Sequence, residues 1–160
     1  NRLIFTGQTG ACREAMAVAI LGQFPLKRPI KVMARGLVVL FSEPMNQKAE
    51  AVLISNGVPL DNFVSQQLKE EGLTEDTLGL TMEAAQKERI LGLYPSVSED
   101  NVYSMSEFIG EELDILDPYG GPLASYGLCY ESMRKMIEKL VRILNGEEVG
   151  GAHGTEDKEG

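Results

Sequence analysis

The chain has 160 residues, 43% of them hydrophobic and 24% charged, with a formal net charge of -9. A chain of this length makes one domain that buries roughly 70% of the surface its unfolded form exposes, and no apolar run approaches the ~20 residues of a membrane helix. A soluble domain is expected, away from membranes, and its negative charge opposes nucleic acid by long-range repulsion.

Asn1 to Phe5 shows no basic leader and no cleavage pattern, so a cytoplasmic protein is expected. Cys12 and Cys129 lie far apart with no C-x-x-C spacing, which argues against a zinc site or a disulfide scaffold and for two reduced thiols. The segment 146–160 carries Glu147, Glu148, Glu156, Asp157 and Glu159 among five glycines. It has little to bury and reads as a disordered tail after a domain of residues 1–145. The single histidine, His153, falls in that tail, which removes histidine triads and most metal sites. Neither a metal nor a cofactor is expected.

Leu3-Ile4-Phe5 reads as a strand that ends at Thr6-Gly7-Gln8-Thr9-Gly10. Ala11, Ala15, Met16, Ala19, Ile20 and Phe24 then recur at helical spacing. Ile30 to Ala34 is a second strand. Asn46 is a candidate N-cap for a helix carrying Ala49, Val52 and Leu53, which stops at Asn56-Gly57. A short polar helix is expected within Leu60 to Gly72, a third strand over Asp76 to Leu80, and a helix over Met82 to Leu93 with Thr81 as its N-cap. Asn101 to Met105 is a fourth strand. A long helix from about Leu123 to Leu144 should bury Leu128, Met133, Met136, Ile137, Leu140, Val141 and Leu144. Strands alternating with helices predict an α/β three-layer sandwich around a four-stranded parallel sheet.

Ligands of such sheets bind beyond the carboxyl ends of the strands, where strand order reverses. Gly7 to Ala11 leads into a helix N-terminus, where backbone N–H groups and the helix dipole favour an anion. Arg13 offers a planar fork for phosphate or sulfate, or is simply solvated there. The loop residues around such an anion are Gln8, Thr9, Gly10, Ala11, Cys12 and Arg13.

Cys12-Arg13-Glu14-Ala15-Met16-Ala17 after a strand resembles the C-R-S-P-M-A stretch that closes the phosphate loop of low-molecular-weight protein-tyrosine phosphatases. Asp117-Pro118-Tyr119-Gly120-Gly121 is similar to the D-P-Y-G-G of that family's general-acid loop. Asp76 to Glu83, Ser65 to Leu68 and Gly57-Val58 resemble further family segments, and together the similarity covers roughly residues 2 to 145. It implies a phosphate-binding role for Arg13, a general-acid role for Asp117 and a ligand-binding place for Tyr119.

The family's mechanism needs a thiolate six residues before the arginine, and that position is Gly7; an alternative alignment gives Phe5. The serine or threonine after the arginine is Glu14, whose carboxylate opposes a phosphate dianion, and the loop asparagine is Gly10. Cys12 matches the family's second cysteine. It is a thiol that the helix N-terminus and Arg13 could activate, or a small buried residue. Cys129 reads as a packing residue. Val38, Val39, Leu40 and Phe41 stand where the family builds an apolar wall of its cleft.

The function expected is that of a phosphatase-like protein, catalytically impaired or inactive, whose loop binds a phosphate or sulfate anion and whose partner is a phosphotyrosine protein or a kinase. One alternative is an active phosphoric-monoester hydrolase with a non-standard nucleophile. The other is a dinucleotide-binding protein, suggested by Thr6-Gly7-Gln8-Thr9-Gly10 and by Arg35 near the second strand. Oligomeric state is not legible in the sequence.

Overall fold

The structure is a computed structural model that describes residues 1–147. The tail read over 146–160, with His153, therefore lies almost wholly outside the described residues. Five helices and four strands alternate: β1 (Arg2–Gly7), α1 (Arg13–Leu21), β2 (Lys31–Gly36), α2 (Gln47–Ser55), β3 (Thr77–Thr81), α3 (Ala84–Leu93), β4 (Val102–Ser104), α4 (Met105–Ile109) and α5 (Leu123–Leu144). All pairings in the sheet are parallel, and the order is β2-β1-β3-β4. The fold is the expected α/β sandwich.

The two-residue period of β1 sorts its side chains between two cores. Leu3 and Phe5 join Leu80, Met82, α1, α2 and the buried stripe of α5 in the larger cluster. Ile4 points the other way, into a smaller cluster with Leu37, Leu68, Leu73, Val102 and Ile90 of α3. Helices cover both faces, as short parallel strands with no polar face require.

Asn46 caps α2 as expected, its Oδ1 accepting from Lys48 N–H at 3.0 Å and Ala49 N–H at 3.1 Å. The chain leaves that helix through Gly57, whose φ of 74° lies in the left-handed region. Thr81 does not cap α3. It ends β3, and its hydroxyl donates to the Glu83 carbonyl at 2.8 Å, while Glu83 N–H donates to Gln86 Oε1 at 3.0 Å and starts the helix three residues later. Between Leu60 and Gly72 the expected helix shrinks to one 3-10 turn, Glu70–Gly72, because Leu68 N–H donates to the Gly36 carbonyl at 2.8 Å and holds the segment extended along β2. The fourth strand stops at Ser104, whose hydroxyl caps the unforeseen short helix α4 through Glu107 N–H.

α5 spans the predicted residues. Its stripe is Tyr126, Cys129, Tyr130, Met133, Met136, Ile137, Leu140, Val141 and Ile143. Leu128 is 72% exposed, since Cys129 takes the inward position on that turn, and Leu144 is only half-buried.

Candidate functional site

The order β2-β1-β3-β4 reverses direction between β1 and β3, and the carboxyl end of that pair is where the chemistry-bearing residues meet. The loop 8–12 leaves β1 there and enters α1 at Arg13. Its curve is pinned from outside: Leu37 N–H donates to the Gly7 carbonyl at 2.8 Å, Val38 N–H to the Gln8 carbonyl at 3.1 Å, and Asn46 N–H to the Ala11 carbonyl at 2.8 Å. Gly10 has a φ of 74°, and a Cβ on it would lie 2.7 Å from Gly36 N. Only glycine fits where this loop touches the end of β2. Arg89 donates to Gln8 Oε1 at 3.1 Å from α3.

The interior of the loop holds the carboxylate of Glu14. Gly10 N–H donates to its Oε2 at 3.1 Å, and the residue is 2% exposed. A Cβ built on Gly7 would stand 2.3 Å from the same oxygen. The carboxylate therefore fills the volume that any side chain at position 7 would enter. Burial raises the Glu14 pKa above its ordinary value, and its own backbone N–H, Arg13 and Gly10 N–H act in the opposite direction.

Arg13 is neither solvated nor presented to an empty loop. Its side chain is 4% exposed. One guanidinium nitrogen donates to the Ile115 carbonyl at 2.5 Å and the other to Glu83 Oε2 at 2.7 Å. The second nitrogen also lies 3.7 Å from Asp117 Oδ2. The pairing joins the loop after β1, the exit of β3 and the segment before α5. Both nitrogens are thus held by protein acceptors, although sequence reading offered them to a phosphate.

The segment 114–121 is built as a turn. Asp117 Oδ1 accepts from Tyr119 N–H at 3.1 Å, Gly121 N–H donates to the Pro118 carbonyl at 2.9 Å, and Gly120 has a φ of 83°. Lys48 of α2 donates to the Gly121 carbonyl at 2.7 Å, and Asp114 Oδ1 accepts from Ala84 N–H at 2.9 Å at the start of α3. Asp117 is brought to the mouth of the loop, and Tyr119 projects into solvent beside it. Val38, Leu40 and Phe41 are exposed and Val39 half-buried at the same end of the sheet, where the apolar wall was expected.

Cys12 precedes α1 and is buried. Burial, the carboxylates of Glu14 and Asp117, and the neighbouring Cys129 push its thiol up to about 12 despite Arg13. The activation foreseen from the helix N-terminus is thus overridden by desolvation. Cys129 packs in the core, and burial pushes it up to about 11.

Sequence reasoning missed where Glu14 goes and which groups hold Arg13. The first had a readable signal: a glycine where a side chain was due and a long acid where a hydroxyl was due are complementary in volume. The second had none, because Glu83 and Ile115 are distant in sequence and carry no phosphate-loop motif.

The architecture has counterparts among known proteins. A protein-arginine-phosphatase of Geobacillus stearothermophilus is 28% identical over 148 residues, covering 92% of this chain and 98% of that one. A solved structure of the arginine phosphatase from the same organism superposes with a TM-score of 0.81 at 27% identity, covering 99% of this chain and 96% of that chain. A low molecular weight protein-tyrosine-phosphatase of Staphylococcus haemolyticus is 27% identical over 139 residues, 87% of this chain and 96% of the other. The model of the family described as low molecular weight phosphotyrosine protein phosphatase matches residues 2–150, so that with its fold, its loop and its Asp-Pro turn in place the chain belongs to that family.

Proposed function

We propose that this member of the family does not carry out phosphoryl transfer through a thiolate, and that its role is to bind a phosphoprotein or a kinase as a catalytically silent relative. The observation that carries this reading is Gly7, which puts no side chain into the loop, with the Glu14 carboxylate in the space a thiol would need. Covalent phosphatase chemistry of this kind needs an attacking group aligned with phosphorus before an acid can assist the leaving group. Asp117 alone does not supply that. Cys12 is a poor substitute, since a thiol at about 12 is almost entirely protonated at neutral pH. The dinucleotide reading of Thr6 to Gly10 gives way to the phosphatase family, whose loop these residues form.

The names of the relatives supply the substrates to test, phosphotyrosine and phosphoarginine. Purified protein should hydrolyse p-nitrophenyl phosphate and free phosphoarginine at the rate of a buffer blank. Rapid turnover that disappears in Cys12→Ser would overturn the proposal in favour of the second thiol. Turnover that survives Cys12→Ser and disappears in Glu14→Gln would overturn it in favour of a carboxylate nucleophile.

A further inference from the structure

The loop after β1 is curved as an anion receptor and already contains a carboxyl group that belongs to the chain. Gly10 N–H is directed at Glu14 Oε2. The loop leads into the N-terminus of α1, a nine-residue helix. Glu14 is the second residue of that helix, near the end where a negative charge is favoured. The carboxylate is buried, as are Gly10, Ala11 and Cys12 of the loop, while Gln8 and Thr9 at its outer side are exposed.

We infer that Glu14 acts as a tethered ligand of this loop, occupying it in place of an inorganic or ester oxyanion, and that the loop accepts a tetrahedral oxyanion only when this carboxylate is removed or neutralised. The inference rests on the reading that no side chain at position 7 fills the loop. It goes further by naming what fills it and what releases the site.

Two physical arguments support it. An attached ligand competes at an effective concentration that a free anion at millimolar levels does not reach. A carboxylate and a dianion in one small cradle also repel each other, so binding the second requires the first to leave or take up a proton. The charged groups that face the cradle are Arg13 from α1, Glu83 from the exit of β3 and Asp117 from the turn before α5, with the thiols of Cys12 and Cys129 neutral beside it. Burial holds the Glu14 proton to a higher pH than an ordinary glutamate does. Acidification thus neutralises Glu14 before a solvated carboxylate, and oxyanion affinity should rise as pH falls through its pKa.

Sulfate is the probe, because it remains a dianion across the range and its own titration cannot imitate the effect. Calorimetry and thermal unfolding with sulfate at pH 8 should give no binding by the wild type, and for Glu14→Ala at least about tenfold tighter binding with a melting midpoint that climbs with sulfate. Between pH 8 and pH 5 the wild type should gain sulfate affinity. Glu14→Gln keeps the packing without the charge and should show little of that pH dependence.

A wild type that binds sulfate at pH 8 as tightly as Glu14→Ala overturns the inference, as does a Glu14→Gln variant that keeps the full pH dependence, which would pass the role to Glu83 or Asp117. Should Glu14→Ala fail to fold, the Glu14→Gln comparison decides alone. None of these outcomes depends on aryl phosphate turnover, so failure here leaves the proposed function standing, and phosphatase activity in the wild type would bring down that proposal without touching the sulfate result.

Discussion

Two loops meet at the carboxyl end of the sheet, and they are held in very different ways. The loop 8–12 follows a glycine and encloses the Glu14 carboxylate, which accepts from Gly10 N–H and stands where a side chain at position 7 would go. The turn Asp117 to Gly121 keeps its residues in full. Catalysis is one reason for such a turn to be present. The structure gives it another occupation: Ile115 and Asp117 hold Arg13, Asp114 receives the first N–H of α3, and Gly121 receives Lys48. Motif residues can be held by the contacts that assemble a site as well as by any chemistry done there.

The comparison breaks most sharply if the altered loop can be returned to chemistry. Gly7→Cys combined with Glu14→Ser should raise p-nitrophenyl phosphate turnover over the wild type by on the order of 10³ or more, and Asp117→Asn added to that pair should lower it again. Gly7→Cys alone should stay near the blank, since the new side chain and the carboxylate claim one volume. Recovery independent of Asp117 would mean that the turn is structural only.

A smaller effect concerns the thiols. With Cys12 held near 12 and Cys129 near 11, alkylation of the native protein by iodoacetamide at pH 8 should be slower than that of the unfolded chain by about 10² or more. Fast modification of Cys12 would place it back among the reactive groups of the loop.

The smallest expected effect sharpens the structural side. Arg13→Ala leaves the Ile115 carbonyl and two carboxylates without their cation and should cost about 3 kcal/mol in urea unfolding. Asp117→Asn, in a half-exposed pair at 3.7 Å, should cost at most about 1 kcal/mol. Equal costs would show that the turn holds the fold more firmly than the geometry suggests.

Much of this was readable from the chain. The short apolar run Leu3 to Phe5, the glycine loop and the helical spacing that follows point to this end of the sheet from the sequence alone, because local patterning and topology rules act on the same residues. Thr81 failed as a cap because the exit of β3 needed two more residues before the helix could begin, and the Gln86 side chain favoured Glu83. Leu128 failed as a core residue because helical periodicity permits neighbouring faces, and the position of the 114–121 segment decides between them. The sequence reading takes Glu14 as hostile to a dianion. Its entry into the loop was not seen, since a repulsion argument fixes a sign of charge and says nothing about the empty volume beside Gly7.

The exclusion between position 7 and Glu14 also bears on inheritance. Because the ideal Cβ at 7 lies 2.3 Å from Glu14 Oε2, a lineage returning from this state meets its two steps in unequal order. Shortening residue 14 first leaves a cavity that water or an anion can fill, whereas adding a side chain at 7 first expels a buried carboxylate from its donors. Each substitution thus changes the effect of the other, so that the order in which they are made decides which of them the loop tolerates.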